Sequence, residues 1–314
     1  MAKAKGLPRR PLVSQRVEGT RDLLPEEMAS FRRWERAFLE ACQARGYQEI
    51  RTPTLEHLYF FTSAQRLTAA RLRSIYSFPD MDGWSGERVV LRPDGTIPIA
   101  RLYSERYAGK TMRLCYVENV FSFEDSPEHR RESWQCGAEL IGDGSPQADA
   151  ETLELACQVL SAGGVEAEIH LFHAGLTRFL LGAQGAGRRL KGAAAGGDVQ
   201  RALQRLAQGR GDSALFLKNL RATLAPRVPL LAPALDNLLA VATLLDRRGL
   251  RYTVDPLLLR DFEYYTGAMF AFFVGGHRVG GGGRYDDMIP KAGGHRTPAS
   301  GFALYLDPLL EKEP

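Results

Sequence analysis

The sequence predicts an α+β protein: a β-rich core in two halves, flanked by helices and interrupted by a helical insertion. Three observations carry this prediction. Two β-rich segments, 112–123 and 132–141, are joined by a polar loop at 124–131. A second β-rich region, 251–306, holds an aromatic run ending at Phe273, a strand with four successive glycines (Gly280 to Gly283) and a final strand, 300–306. Between them, from about 175 to 250, the composition shifts to Ala, Leu, Arg and Gly with helical periodicity. The expected organisation is a disordered tail at 1–15, a first core part at 16–174, a helical insertion at 175–250 and a second core part at 251–314.

At 314 residues the chain is long enough to bury a full core. Its 44% apolar and 25% charged content is ordinary for a globular protein. A net charge of +4, from 41 basic and 37 acidic residues that are scattered along the chain, gives no nucleic-acid footprint. Cys42, Cys115, Cys136 and Cys157 form no CxxC pair, which speaks against a zinc site or a disulfide framework and suits a reducing, cytoplasmic setting. No apolar run reaches the length of a membrane span, and no secretory signal core opens the chain. No metal site and no cofactor are expected.

The elements follow in order. Gly19 to Pro25 is a turn feeding a helix, with Pro25 suited to its first position and Glu26 and Glu27 favoured by the N-terminal dipole. Met28, Phe31, Phe38 and Cys42 lie along one stripe, and Gly46 is the expected stop. A strand at 47–51 ends at Pro53. Residues 75–84 predict a hairpin turning near Asp82-Gly83, and 88–92 a further strand. Pro93-Asp94-Gly95-Thr96 is a tight turn holding a carboxylate and a hydroxyl side by side before a helix over 97–107. Ser145, as N-cap, and Pro146 start a helix that runs to about 162. Residues 168–172 are a strand. Gly109-Lys110-Thr111 is no phosphate loop, since Ser104 stands where the first glycine belongs.

Three places draw attention as candidate sites. Strand alternation over 132–141 puts Gln135, Gly137 and Glu139 on one face, the amide and carboxylate roughly 13 Å apart by backbone rise. These residues read equally well as a half-exposed polar face or as a bracket around an amino-acid-sized ligand. The stretch 255–270 places Arg260 just before the adjacent Tyr264 and Tyr265. It reads as an edge strand with a solvated arginine, or as a pocket for a small anion bearing a ring, because the guanidinium offers a fixed fork of donors. Four glycines in a strand cost backbone entropy and pack nothing, which fits a ligand or another backbone lying directly on the sheet.

Taken in order, these pieces resemble the catalytic core of a class II aminoacyl-tRNA synthetase, and within that class the histidyl-tRNA synthetase family, from Gly19 to about Leu309. GTRDLLP at 19–25 is similar to the family's entry segment. The first helix with Pro53 is similar to motif 1, the dimer interface, and 112–141 to motif 2. LLRDFEYYTG at 258–267 and GGGGRYD at 280–286 resemble the two histidine-specific signatures, and SGFALYL at 300–306 the start of motif 3. The resemblance implies an antiparallel sheet flanked by helices. It also implies a histidine site: Arg260 on the carboxylate, Asp94, Thr96 and Gln135 on the ammonium, Glu139 and Tyr265 on the imidazole, and Tyr264 and Tyr285 as wall or support. The synthetases usually carry glutamate at the position of Asp94. Arg131 matches a motif 2 arginine, and Gly281, Gly282 and Gly283 are expected to support the pocket. Alternation allows only one of Tyr264 and Tyr265 to point into the site from a regular strand.

Departures from the family's pattern matter as much. Ser122 stands where motif 2 carries its ATP-clamping arginine, Pro308 where motif 3 ends in one, and Tyr305 at a usual glycine. Losing two charge-assisted clamps on a polyphosphate costs several kcal/mol, roughly, in binding and transition-state stabilisation. The anticodon-binding domain expected after motif 3 does not follow. This combination resembles the histidyl-tRNA synthetase-like regulatory subunits of ATP phosphoribosyltransferase. It implies a non-catalytic protein that binds histidine as an effector. Its implied partners are a short-form catalytic subunit and, through the motif 1 region, a second copy of itself within a hetero-oligomer, with no tRNA and no membrane. The competing readings are a minimal histidine-activating synthetase and a tRNA- or partner-binding module.

Overall fold

Pro25 at the first helical position and Glu27, whose carboxylate accepts from the Leu24 amide at 2.9 Å, start α1 (Pro25–Ala44). Its stripe of Phe31, Trp34, Phe38, Ala41 and Cys42 is buried, and Gly46, at φ +75°, ends it. The structure, a computed structural model, describes residues 16–64, 73–81, 86–123, 130–185, 211–255, 264–291 and 295–311. The tail at 1–15, the turn at Asp82-Gly83 and Arg260 lie outside the described residues.

After α1 come β1 (Gln48–Glu49), β2 (Leu55–His57), α2 (Leu58–Ala64), β3 (Ser77–Pro79), β4 (Arg88–Leu91) and α3 (Thr96–Arg106). Then follow β5 (Met112–Phe121), β6 (Glu132–Ile141), α4 (Pro146–Ala162), β7 (Glu168–His173), α5 (Ala174–Gly185), α6 (Ala214–Leu224) and α7 (Ala232–Arg247). The chain closes with β8 (Thr253–Val254), β9 (Ala268–Val274), β10 (His277–Arg284), α8 (Met288–Lys291), β11 (Ala299–Tyr305) and α9 (Leu306–Leu310).

An eight-stranded sheet runs β1-β5-β6-β11-β10-β9-β7-β8. Its central pairs are all antiparallel, as expected for this class, while the outer pairs β1–β5 and β7–β8 are parallel. A small second sheet, β2-β4-β3, pairs β3 with β4. The predicted hairpin is thus not contained within 75–84; its second strand is 88–91, across a longer connection.

The two faces of the large sheet bury different things. On one, Cys115 and Val117 of β5, Cys136 and Ala138 of β6, and Phe302 and Leu304 of β11 pack under α1, α4 and α7. Alternation turns Leu114 and Tyr116 to the other face, against Ile97, Ile99, Tyr265 and Tyr285. Gln135, Gly137 and Glu139 share that second face. The helical segment between the core halves contributes directly to the first layer, since Leu235, Leu238, Val241, Ala242 and Leu245 of α7 lie in the same apolar core as α1. Contrary to the sequence expectation, Pro229–Arg247 is long and apolar enough to span a membrane by length and composition alone. Its buried stripe identifies it as a core helix.

Candidate ligand site

The second face of the sheet holds a cavity lined by Asp94, Thr96, Gln135, Glu139, Tyr264, Tyr265 and Tyr285, with Gly281, Gly301 and Tyr305 at its floor. Each wall has a local cause. Arg92 is buried and donates to the carbonyls of Thr52 and Asn119, both at 2.8 Å, and pairs with Glu118 at 3.1 Å. This anchors the following turn to β5. Asp94 Oδ1 then accepts from the amides of Thr96 (2.8 Å) and Ile97 (3.1 Å), so Asp94 also caps α3. Thr96 Oγ1, fixed by that cap, donates to Glu139 Oε1 at 2.9 Å.

Glu139 is 1% exposed and receives a second hydrogen bond, from the Tyr285 hydroxyl to Oε2 at 2.6 Å. Burial pushes its carboxyl up to about 8, against the Tyr285 and Thr96 hydrogen bonds that lower it, and Asp94 nearby adds to the rise. It therefore holds its proton far more tightly than an ordinary carboxyl. Across the sheet Glu139 stands opposite Gly301, where a methyl would overlap Oε2. Glycine at 301 is what lets the carboxyl lie flat on the floor. Tyr116, fully buried, backs the same wall; its ring fills the space that side chains at Gly95 and Gly137 would need.

Tyr264 and Tyr265 both line the cavity, with ring centroids 4.5 Å apart. Strand alternation does not constrain this pair, because both residues precede β9 and lie in a turn and coil. Arg178 of α5 donates to the Tyr265 carbonyl at 2.8 Å, holding that segment in place. Gln135, 9% exposed, stands at the other end of the cavity with its Oε1 buried and without a hydrogen-bond partner among the described residues.

Other expected residues lie elsewhere. Arg131 stacks over the Phe123 ring at 4.7 Å and packs on Gly19, so it is not in the cavity wall. Of the glycines on β10 only Gly281 lines the cavity. Side chains at Gly282 and Gly283 would meet the backbone of β11 and β9, so those two serve close strand packing. Ser122 donates through its amide to the Arg131 carbonyl at 3.1 Å. Pro308 lies within α9, next to the buried Asp307, which accepts from the Trp134 amide and pairs with Arg21, both at 2.8 Å. Sequence reasoning missed Arg278, Gly301 and Tyr116. Gly301 could have been found as the residue opposite Glu139, but only once the register of β6 and β11 is known.

Chemically, the cavity offers a buried carboxyl held by two hydroxyls at one end, an unsatisfied amide oxygen at the other, and tyrosine rings between. That set suits a small polar molecule with a flat ring and several donors.

The fold and this arrangement define a class II aminoacyl-tRNA synthetase-like protein. A structure from Bacillus halodurans, titled an ATP phosphoribosyltransferase regulatory subunit/histidyl-tRNA synthetase, superposes with a TM-score of 0.79 at 26% identity over 96% of this chain and 84% of that one. Histidyl-tRNA synthetase from S. aureus shares the fold at a TM-score of 0.62 and 23% identity, over 95% of this chain and 70% of that one. The family described as histidyl-tRNA synthetase matches residues 19–309, and the chain belongs to it. Within it, the ATP phosphoribosyltransferase regulatory subunit of Dehalococcoides mccartyi is 44% identical over 94% of this chain and 76% of its own length. The histidine–tRNA ligase of Archaeoglobus fulgidus is 33% identical over 95% and 75%.

Proposed function

We propose that this chain is a non-catalytic regulatory subunit of ATP phosphoribosyltransferase that binds histidine as a feedback effector in the cavity on its sheet. The observation that carries the reading is that one cavity brings together Glu139, held by Thr96 and Tyr285, and the Gln135 amide, whose Oε1 has no hydrogen-bond partner among the described residues. Glu139 meets the imidazole, exchanging a hydrogen bond with a ring nitrogen, and Tyr265 stacks beside it. Asp94 and Gln135 accept from the ammonium, and Arg260 takes the carboxylate. Relatives 44% identical that bear the regulatory-subunit name support the assembly with a short-form catalytic subunit. The reading includes a homodimer through α1 and the segment that follows it. Ser122 and Pro308, at positions where the synthetases carry ATP-clamping arginines, leave no charge-assisted hold on a polyphosphate there.

Feedback requires histidine to favour one arrangement of the complex, with a coupling on the order of 1–3 kcal/mol. The test is to co-express the chain with a short-form phosphoribosyltransferase and measure activity with and without histidine. Activation by the chain and inhibition by histidine are expected, with Arg260→Ala abolishing inhibition while assembly persists. Inhibition that survives Arg260→Ala at unchanged histidine concentration would place the effector elsewhere. Histidine-dependent ATP–pyrophosphate exchange by the purified chain would overturn the non-catalytic assignment.

A further inference from the structure

Arg278 stands near the start of β10, three residues before Gly281, which lines the cavity. Regular alternation would send it to the opposite, helix-covered face. The ladder with β9 skips a residue there: Arg278 lies opposite Phe273 and Gly280 opposite Phe272, leaving Val279 as the extra residue. Val279 is buried in the helix-side core, and a side chain at Gly280 would point at Leu304 of that same core. Two successive residues thus face the helices, and Arg278 is turned into the cavity wall.

Three neighbours among the described residues help to fix its position. Arg278 Nε donates to the Gly280 carbonyl at 3.2 Å, and its guanidinium lies over the Tyr305 ring, 5.8 Å from the centroid. A methyl on Gly281 would come within 2.7 Å of Nη2, so glycine there makes room for the arginine. Tyr305 pairs with Gln135 across the ladder, whereas Glu139 pairs with Gly301 four residues along. Arg278, Tyr305 and Gln135 therefore form the end of the cavity opposite Glu139.

We propose that Arg278 and Tyr305 are the ligand-selecting end wall of the cavity. Arg278 receives the free carboxylate of an amino acid, and the Tyr305 ring excludes any ligand whose carboxyl carries a further group. This rests on the reading of the cavity as a histidine site, and Arg278 acts there alongside Arg260. The charge pattern fits a zwitterion: an acid, Asp94, and a buried amide oxygen for the ammonium, with a guanidinium beside them for the carboxylate. An amino acid joined through its carboxyl to a nucleotide phosphate as a mixed anhydride loses that carboxylate charge and must pass the stacked Tyr305.

Calorimetric titration of the purified chain tests this with three probes: histidine, histidinol (which lacks the carboxylate), and a histidyl-sulfamoyl adenosine that mimics the adenylate. The wild type is expected to prefer histidine to histidinol and to bind no adenylate mimic. Arg278→Gln should lower histidine affinity roughly tenfold or more while moving histidinol less than about threefold, as loss of a charge-assisted contact predicts. Tyr305→Gly should gain binding of the mimic. If Arg278→Gln melts below the wild type, Arg278→Lys, which keeps the charge without the fork, should retain a reduced preference for histidine. An unchanged histidine-to-histidinol ratio in both Arg278 variants, or exclusion of the mimic by Tyr305→Gly, overturns the end-wall assignment alone. A wild type that binds no histidine overturns the histidine reading and this inference together.

Discussion

Two buried acids, about equally inaccessible, are treated in opposite ways by this fold. Asp149, near the start of α4, faces the guanidinium of Arg284 at 2.8 Å, and Arg284 also donates to the Asp143 and Ser145 carbonyls, both at 3.1 Å. Burial raises the Asp149 carboxyl to about 6, with Arg284 holding it down. Glu139 is given hydroxyl donors from Thr96 and Tyr285, and its carboxyl rises further, to about 8. An arginine neutralises a carboxylate and closes its account with the solvent. Hydroxyls satisfy the lone pairs but leave the charge open, which is what a carboxyl needs if a ligand's proton is to decide its state. The first acid is structural; the second is poised.

The contrast can be broken by experiment. Arg284→Met strands Asp149 in the interior and should cost about 3–5 kcal/mol of unfolding free energy in urea, with the double variant Arg284→Met/Asp149→Leu recovering most of it. Recovery of none would mean that Arg284 acts chiefly through the Asp143 and Ser145 carbonyls and its pair with Asp286.

Glu139→Gln should act on the pH dependence instead. Its folded value, about 8, lies above the ordinary 4.5, so the folded state holds the proton more tightly than the unfolded one. This contribution to stability is full below 4.5 and is lost as pH rises through 8. Asp149 acts in the same sense but only up to about 6. His173, which burial pushes down from 6.5 to about 4, acts in the opposite sense up to about 6.5. The difference between the wild type and Glu139→Gln from 6 to 8 therefore isolates Glu139. Denaturation series should show a decline there on the order of 2 kcal/mol in the wild type that flattens in Glu139→Gln. An equal decline in both would assign the titration to another group.

Gly301→Ala drives a methyl onto Glu139 Oε2 and should destabilise by about 1–3 kcal/mol as well as weaken ligand binding. Combining it with Glu139→Ala should recover only part of the loss, since the methyl would still meet the Ala138 carbonyl oxygen at 2.7 Å. The smallest effect is expected for Tyr285→Phe, about 0.5–1.5 kcal/mol for one lost hydrogen bond. It should also move the Glu139 titration upward, because the hydroxyl favours the charged form; a downward shift would refute that role.

Much of the framework was legible because it rests on local rules. Pro25, Glu27 and Gly46 bound α1, Ser145 and Pro146 open α4, and alternation over β6 separates Gln135 and Glu139 from Cys136 and Ala138. What was not legible depends on register between distant segments. Arg278 enters the cavity wall only through an irregularity in its pairing with β9, and Tyr264 joins Tyr265 there because their segment is not yet a strand. Arg131, aligned by pattern with a site arginine, is drawn instead onto the face of Phe123. The edge pairs β1–β5 and β7–β8 run parallel, a choice that two-residue strands do not advertise.

The position of β11 has a consequence in time. The strand slots between β6 and β10, both of which precede it in the chain, and it supplies Gly301 beneath Glu139 and Tyr305 beside Gln135. Until it inserts, the edges of β6 and β10 are both unpaired and the cavity has no floor. A ligand of the cavity can therefore recognise only a chain in which β11 has paired with both neighbours. Its binding free energy is added to that state alone, so a ligand on the sheet holds the late strand in place.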